Sequence, residues 1–201
     1  MIKNYIFDFG NVICEFYEDR LSAPYAENDD EKRIIKNVAF DRLYWDRLDN
    51  GTISDDEVKS SIKKRLKEPV ATRACEAFDN WIFNLTPVPG MQNLIKELKN
   101  KGAKLYLLSN ISIGFAQNYH KSEWINEILS CFDGLILSGT INLVKPDKAI
   151  FEYALNKYNL KACECIFIDD NIINTRSAEK LGIKTYHFDG NAEKLRGFLI
   201  K

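Results

Sequence analysis

Short apolar runs alternate with amphipathic stretches along most of this 201-residue chain, and this alternation limits its fold more than any other feature. Each run is a handful of residues rich in Ile, Leu, Phe or Tyr, a composition typical of strands buried on both faces of a sheet. The runs are residues 2–8, 104–109, 134–138, 164–169 and 184–188. Helical patterns separate them at residues 91–101, 146–158 and 171–181. The alternation predicts an α/β fold with a parallel sheet and right-handed crossovers. We expect a doubly wound, Rossmann-like sheet with the strand order 3-2-1-4-5.

The stretch after the first strand has a different pattern. Residues 15–86 are charged and helical, without a run typical of a buried strand. Ser54 and Glu57 have the spacing of a capping box, which begins a helix, and they follow a turn at residues 49–51. The stretch ends at the helix-breaking residues 87–90. We therefore predict a helical cap domain at residues 15–86, inserted into a core formed by residues 1–14 and 87–201.

Charge and composition exclude several classes of partner. The chain has 28 basic and 29 acidic residues, a formal net charge of −1, whereas nucleic acids and anionic membranes favour a basic excess. No stretch approaches the roughly 20 apolar residues of a membrane span. Asp8 interrupts the first apolar run, so we expect no signal peptide and a cytoplasmic protein. Five scattered cysteines fit free thiols in a reducing compartment. The sequence makes no prediction of oligomeric state.

Polar residues follow the predicted strands where ligands bind to open parallel sheets, beyond the carboxyl ends. The first predicted strand ends at Asp8, the second at Ser109 and Asn110, and the fourth at Asp169 and Asp170. Lys145 closely follows the third strand. Adjacent carboxylates repel each other unless a cation lies between them, and a site of few carboxylates suits Mg²⁺, which also binds substrate phosphate. A lysine, a hydroxyl and backbone N–H groups suit phosphate itself.

Each of these residues also has an ordinary structural interpretation. Asp8 is at a position where turn residues are common, and Asp170 is placed to cap the following helix. Lys145 alone would be read as a solvated surface lysine, and Ser109 as a helix N-cap. The functional interpretation depends on the order of all of them along the chain.

In that order, the residues resemble the four ordered motifs of the haloacid dehalogenase superfamily. The resemblance covers the whole chain, since the helical insert lies where that superfamily has its type-1 cap. Residues 9–13, 108–110, 144–146 and 168–171, with Asn174 and the cap stretch 49–54, look like the subfamily that contains bacterial α-D-glucose-1-phosphate phosphatase.

The resemblance implies a mechanism and a role for each residue. Asp8 would attack phosphorus and form an aspartyl-phosphate that water later hydrolyses. Mg²⁺ would be held by Asp8, the Gly10 carbonyl and Asp170, with Asp169 behind them or bound through water. Ser109 and the Asn110 N–H would bind the transferring phosphoryl group, Lys145 would orient Asp8 and phosphate, and Asn174 would steady the metal loop. The substrate would be a small phosphorylated metabolite, such as a sugar-1-phosphate.

Gly10 departs from the pattern of most phosphatases in the superfamily, which have an aspartate there as general acid and base. A general acid or base of this kind typically increases the reaction rate about 100- to 10,000-fold. Three interpretations follow: a phosphatase in which water or a cap residue replaces the aspartate, a carbon–halogen hydrolase, which needs no general acid, or a catalytically silent phosphate-binding or regulatory protein. The dehalogenases of the superfamily need no magnesium, whereas the acid pair and Lys145 favour a metal and a phosphate.

The predicted cap offers candidates for substrate contact. Phe40, Tyr44 and Leu48 have a helical spacing typical of packing. Trp45 and Arg47 lie off that stripe, and we expect them to face a sugar, which aromatic faces and guanidinium groups suit.

Overall fold

The computed structural model describes residues 2–200, and the strands within them are named in chain order. They are β1 (Asn4–Phe7), β2 (Cys14–Glu15), β3 (Thr86–Pro87), β4 (Lys104–Ser109), β5 (Gly134–Leu137), β6 (Cys165–Asp169) and β7 (Lys184–His187). One parallel sheet has the order β5-β4-β1-β6-β7, which confirms the predicted order 3-2-1-4-5. The terminal residues Met1 and Lys201 of the predicted core lie outside the described residues.

Helices cover both faces of this sheet and fill the stretch between β2 and β3. Within residues 2–200 they are α1 (Glu18–Ser22), α2 (Asp29–Ala39), α3 (Arg42–Asp49), α4 (Asp55–Arg65), α5 (Val70–Asn80), α6 (Met91–Asn100), α7 (Ile113–Asn118), α8 (Glu123–Leu129), α9 (Lys148–Lys157), α10 (Ile172–Glu179) and α11 (Ala192–Leu199). In the part of the chain that the structure describes, none of them combines the length and the apolar character that crossing a bilayer requires.

The position of β1 at the centre of the sheet explains why its sequence is apolar at successive positions. Ile6 packs into the core on one face of the sheet and Phe7 into the core on the other, so both are buried. Phe7 is in register with Leu107 of β4 and Ile168 of β6. The residues that follow β1, β4 and β6 therefore meet at one edge of the sheet.

Two helices begin later than the sequence pattern predicts. The predicted helix at residues 146–158 begins at Lys148, because the Asp147 carboxylate accepts a hydrogen bond from the Ala149 N–H and caps the helix there. The predicted helix at residues 171–181 begins at Ile172, because the Asn171 side chain caps it by accepting from the Ile173 N–H. In both helices, a short polar side chain accepts a hydrogen bond from the backbone N–H two residues later in the chain, and this cap sets the first residue of the helix.

The inserted helices, α1 to α5, lie between β2 and β3, which pair antiparallel through Cys14 with Pro87 and Glu15 with Thr86. The sequence pattern did not predict this ribbon, because two residues a strand are too few to show a period. The Ser54 and Glu57 capping box is confirmed at the start of α4. α5 packs against α2 and α4.

Candidate active site

Asp8 follows β1 at the centre of the sheet and is buried. Its Oδ1 atom accepts a hydrogen bond of 2.7 Å from the Phe9 N–H and lies 2.7 Å from the Lys145 ammonium. Burial raises the pKa of Asp8 to about 7, Lys145 opposes this rise, and the charges of Asp169 and Asp170 add to it. Its second oxygen, Oδ2, makes no hydrogen bond or ion pair within residues 2–200. One oxygen is thus fixed and the other is available for chemistry.

Lys145 is the cation of this site, and it is only 4% exposed. Its ammonium lies 2.7 Å from Asp8 and donates a 2.7 Å hydrogen bond to Asp169 Oδ2. Burial alone would lower the pKa of Lys145, but the two carboxylates outweigh burial and raise it. Lys145 therefore stays charged, with its position set by both aspartates.

Asp169 is fully buried at the end of β6, and its two oxygens are occupied by donors. Besides Lys145, the Asn171 N–H donates to Oδ1 at 2.7 Å, and the Asn174 amide lies 3.1 Å from both oxygens. A carboxylate that accepts hydrogen bonds from several fixed donors orients those donors. Asp169 thus holds Lys145 and the start of α10 together.

Asp170 points toward the cavity that Asp8 lines, and it is half-buried. Burial raises the pKa of Asp170, the neighbouring Asp169 adds to the rise, and a hydrogen bond with Asn11 opposes it. Oxygen atoms of Asp8, Asp169 and Asp170 all lie within 4.8 Å of one another, close enough to surround one cation. Of the three carboxylates, Asp8 and Asp170 retain oxygens that face the cavity.

Ser109 is the last residue of β4 and Asn110 follows it, and the two side chains have different roles. The Asn110 side chain accepts a 2.7 Å hydrogen bond from the Lys145 N–H and donates one of 2.8 Å to the Lys145 carbonyl. The Ser109 hydroxyl lines the cavity and has no hydrogen-bond partner within the described residues. Asn110 therefore positions Lys145, and the Ser109 hydroxyl is free to meet a ligand.

These residues line a cavity of about 610 Å³, within the usual range for small-molecule sites. It lies between the carboxyl edge of the sheet and the inserted helices. Of the residues predicted from the sequence, the cavity brings together Asp8, Gly10, Ser109, Asn110, Lys145, Asp170 and Trp45, with Asn174 also on its wall and Asp169 behind it.

Trp45 and Arg47 do not both reach this cavity. Trp45 lines it but is only 6% exposed, because it packs against Phe16 and Trp81 and its indole N–H donates to the Ala39 carbonyl at 2.9 Å. Arg47 is not among the lining residues: it lies on the other face of α3, in a separate groove against α4. The expectation that Arg47 faces the same site fails because its position on the helix turns it away.

Three charged residues of α3 reach the cavity although the sequence interpretation missed them. They are Arg42, Asp46 and Asp49, and with Trp45 they have the spacing i, i+3, i+4 and i+7 of one helix face. That spacing was readable in the sequence. Which face of α3 would meet the sheet was not, since it depends on how the inserted helices pack on the core.

Comparison with known proteins gives relatives that match between 71% and 96% of the chain. A sesquiterpene phosphatase from Aspergillus oryzae is 27% identical over 143 residues, 71% of this chain and 71% of that protein. The D-ribitol-5-phosphate phosphatase of Bacteroides thetaiotaomicron is 24% identical over 201 residues, 96% of this chain and 95% of that protein.

Solved structures share the fold. A HAD family enzyme from Bacteroides thetaiotaomicron, in complex with magnesium and inorganic phosphate, matches with a TM-score of 0.74 at 24% identity, covering 95% of this chain and 96% of that chain. The haloacid dehalogenase-like hydrolase family matches residues 2–182, nearly the whole chain. This protein therefore belongs to the family of haloacid dehalogenase-like hydrolases.

Proposed function

We propose that this protein is a magnesium-dependent phosphatase that hydrolyses a small phosphorylated metabolite, a sugar phosphate such as a sugar-1-phosphate, through an aspartyl-phosphate on Asp8. One observation carries the proposal: Asp8 has one oxygen fixed by Lys145 and the Phe9 N–H, while the other has no partner within residues 2–200. A carboxylate held in this way is oriented for attack on an electrophile in the cavity. The phosphatase relatives support the same reaction.

The charge of the cavity supports a bound cation. Its lining includes only two basic side chains, those of Arg42 and Lys145. It includes four acidic side chains, those of Asp8, Asp46, Asp49 and Asp170. An anionic phosphate ester would be repelled by this excess of acid unless a cation offset it. The carboxylates of Asp8 and Asp170 offer hard oxygen ligands of the type that Mg²⁺ prefers, and the Gly10 carbonyl is the third protein ligand that we propose. Bound there, Mg²⁺ would neutralise charge on the phosphoryl group and on the attacking carboxylate.

The remaining residues have separate tasks in the proposed reaction. The Ser109 hydroxyl and the Asn110 N–H bind phosphoryl oxygens, and Lys145 stabilises the charge that builds on them. Asp8 attacks phosphorus, the ester oxygen leaves, and water then cleaves the aspartyl-phosphate. Asp169 takes no part in bond making, because its oxygens hold Lys145, Asn171 and Asn174.

We further propose that residues 15–86 act as the cap of the site and residues 1–14 and 87–201 as its core. The cap would contribute Arg42 and the edge of Trp45 to substrate binding, and it would shield the reacting groups from bulk water. A guanidinium and an aromatic ring suit a polar, ring-shaped metabolite better than an apolar one.

Phosphate release from a panel of esters tests this function. The panel compares sugar-1-phosphates and sugar-6-phosphates with an aryl phosphate and nucleotides, in the presence of magnesium and of a chelator. We expect release that requires magnesium and favours the small sugar phosphates, and loss of activity in Asp8→Asn. Hydrolysis of a 2-haloacid without magnesium would instead favour a dehalogenase, and magnesium binding without any turnover a silent binding protein.

A further inference from the structure

Gly10 has no side chain that could serve as the general acid of the site. Gly10 lines the cavity, and a Cβ atom built on it would meet nothing within 4 Å. Within residues 2–200, the core acids that line the cavity are Asp8 and Asp170, which the proposed function uses as nucleophile and metal ligand. Any proton for the leaving group must therefore come from water or from the opposite wall of the cavity.

Asp49 is the acidic residue of the opposite wall that best fits this need. It is the last residue of α3, it is half-buried, and it lines the same cavity as Asp8, Gly10 and Ser109. Its carboxyl group makes no hydrogen bond or ion pair within residues 2–200, whereas the neighbouring Asp46 is paired with Arg42 at 2.6 Å. Asp49 thus has a free carboxyl group in the site.

The backbone around Asp49 is fixed to the core beside the phosphate-binding residues. The Asp49 carbonyl accepts a 2.6 Å hydrogen bond from the Ser138 hydroxyl, whose oxygen also accepts one of 2.8 Å from the Ile111 N–H. The Asn50 carbonyl accepts one of 2.8 Å from the Asn142 amide. Ile111 directly follows Asn110, so the position of Asp49 is coupled to the end of β4.

We propose that Asp49 is the general acid and base of the reaction, the role that Gly10 cannot fill. In the first step an Asp8 oxygen bonds to phosphorus, the bond from phosphorus to the ester oxygen breaks, and that oxygen takes the proton of the Asp49 carboxyl group. In the second step water attacks phosphorus and gives a proton to the Asp49 carboxylate, while the bond from phosphorus to Asp8 breaks. The cycle returns every group to its starting state. This inference rests on the proposed phosphatase function.

The environment of Asp49 suits proton transfer near neutral pH. Burial raises the pKa of Asp49 to about 7, Arg42 and Lys145 oppose the rise, and Asp46 adds to it. Asp8 and Asp170 face Asp49 across the cavity. A group with a pKa near the working pH is both able to give and able to take a proton. Its neutral form also adds no negative charge where a phosphate ester must bind.

The test compares Asp49→Asn with wild type on two esters that differ in their need for a proton. The leaving group of an alkyl phosphate is a strongly basic alkoxide, whereas the leaving group of an aryl phosphate is a more stable phenolate. We expect Asp49→Asn to lose about 100-fold or more in kcat/KM on the alkyl ester and only about threefold on the aryl ester. The substitution keeps the size of the side chain and removes no hydrogen bond, so the variant is expected to fold.

Two further variants sharpen the result. Asp56→Asn removes an exposed acid of α4 that does not line the cavity, and it should leave both activities unchanged. Gly10→Asp added to Asp49→Asn should recover hydrolysis of the alkyl ester, because the space beside Gly10 is open. Equal losses on the two esters in Asp49→Asn would overturn the role of Asp49 and leave the phosphatase function intact. Absence of hydrolysis by wild type on both esters would instead contradict the proposed function.

Discussion

Asn110 and Lys145, which are 35 positions apart in the chain, are joined by two hydrogen bonds between the Asn110 amide and the Lys145 backbone. The amide oxygen accepts from the Lys145 N–H at 2.7 Å, and the amide nitrogen donates to the Lys145 carbonyl at 2.8 Å. Since an amide side chain can satisfy both backbone groups of one residue, it fixes the direction from which the lysine enters the site. Asn110 is in this way a positioning residue for the cation beside Asp8.

The first prediction concerns this pair. Asn110→Ala should lower kcat by about 10- to 100-fold, because a lysine that shifts by a fraction of an ångström no longer holds Asp8 and phosphate in line. Steady-state kinetics measures the loss. Asn118→Ala is the control, since it also removes an amide bonded to a backbone carbonyl but lies outside the cavity. If the two variants have the same turnover, Asn110 does not position Lys145.

A second prediction concerns the metal and does not depend on activity. Magnesium at about 100 times its dissociation constant should stabilise the folded protein by about 2.7 kcal/mol. Differential scanning fluorimetry would record this as a rise in Tm. Asp170→Asn should abolish most of the rise, because Asp170 is a proposed ligand, whereas Asp56→Asn should retain it. A full rise in the Asp170 variant would show that the ion binds elsewhere.

The turn that carries Asp49 gives a third prediction. Gly51 has a φ of +68°, and a Cβ atom there would lie 2.3 Å from the Gly139 carbonyl oxygen, so only glycine allows this approach. Gly51→Ala should lower the free energy of unfolding by about 3 kcal/mol and disturb hydrolysis of alkyl esters.

Gly102→Ala is the matched control for that substitution. Gly102 has a φ of +82°, but a Cβ atom there would meet nothing within 4 Å. Its substitution should therefore cost about 1 kcal/mol, the strain of the backbone alone. Urea denaturation compares the two variants, and equal losses would mean that the contact between Gly51 and Gly139 contributes nothing.

A fourth prediction concerns the dependence of stability on pH. The Asp133 carboxylate accepts hydrogen bonds from the Lys99 and Lys104 ammonium groups and from the Leu105 N–H. Burial would raise the pKa of Asp133, but these hydrogen bonds outweigh burial and lower the pKa to about 2. The folded protein therefore binds this proton less tightly than the unfolded chain does. The Asp133 charge therefore stabilises the fold at pH values above 3.8, the ordinary pKa of an aspartate. This stabilisation disappears as the pH falls toward 2.

Chemical denaturation of Asp133→Asn at several pH values tests this. After allowance for screening of the exposed lysines, the variant should be about 1 kcal/mol less stable than wild type at pH 7, and the difference should shrink below pH 4. Asp30→Asn removes an exposed acid and should change stability little at any pH. A deficit that is constant with pH would contradict the role of the Asp133 charge.

The sequence predicts the sheet and the core half of the site well, for a physical reason. The strands that lead into Asp8, Ser109 and Asp169 are buried on both faces, so they are continuous apolar runs. Parallel topology brings their ends to one edge of the sheet. The alternation of strands and helices predicts a parallel sheet, and the expected order 3-2-1-4-5 is confirmed.

The cap half of the site is less predictable. Asp49 and Arg47 are two residues apart on α3, yet Asp49 reaches the cavity and Arg47 does not. Local sequence defines the helix but not the face that meets the core, which is decided by contacts such as that between Asp49 and Ser138. The short pair β2 and β3 escapes prediction as well, since its partners are separated by the whole insert.

The central claim is that Asp8 is phosphorylated during turnover, and acid quenching followed by mass spectrometry tests it most directly. Wild type mixed with magnesium and an aryl phosphate should show, within the first turnovers, one phosphoryl group on the peptide that contains Asp8. The Asp8→Asn variant should show neither the label nor phosphate release. Phosphate release by wild type without any label on that peptide, together with activity that survives in Asp8→Asn, would contradict the account.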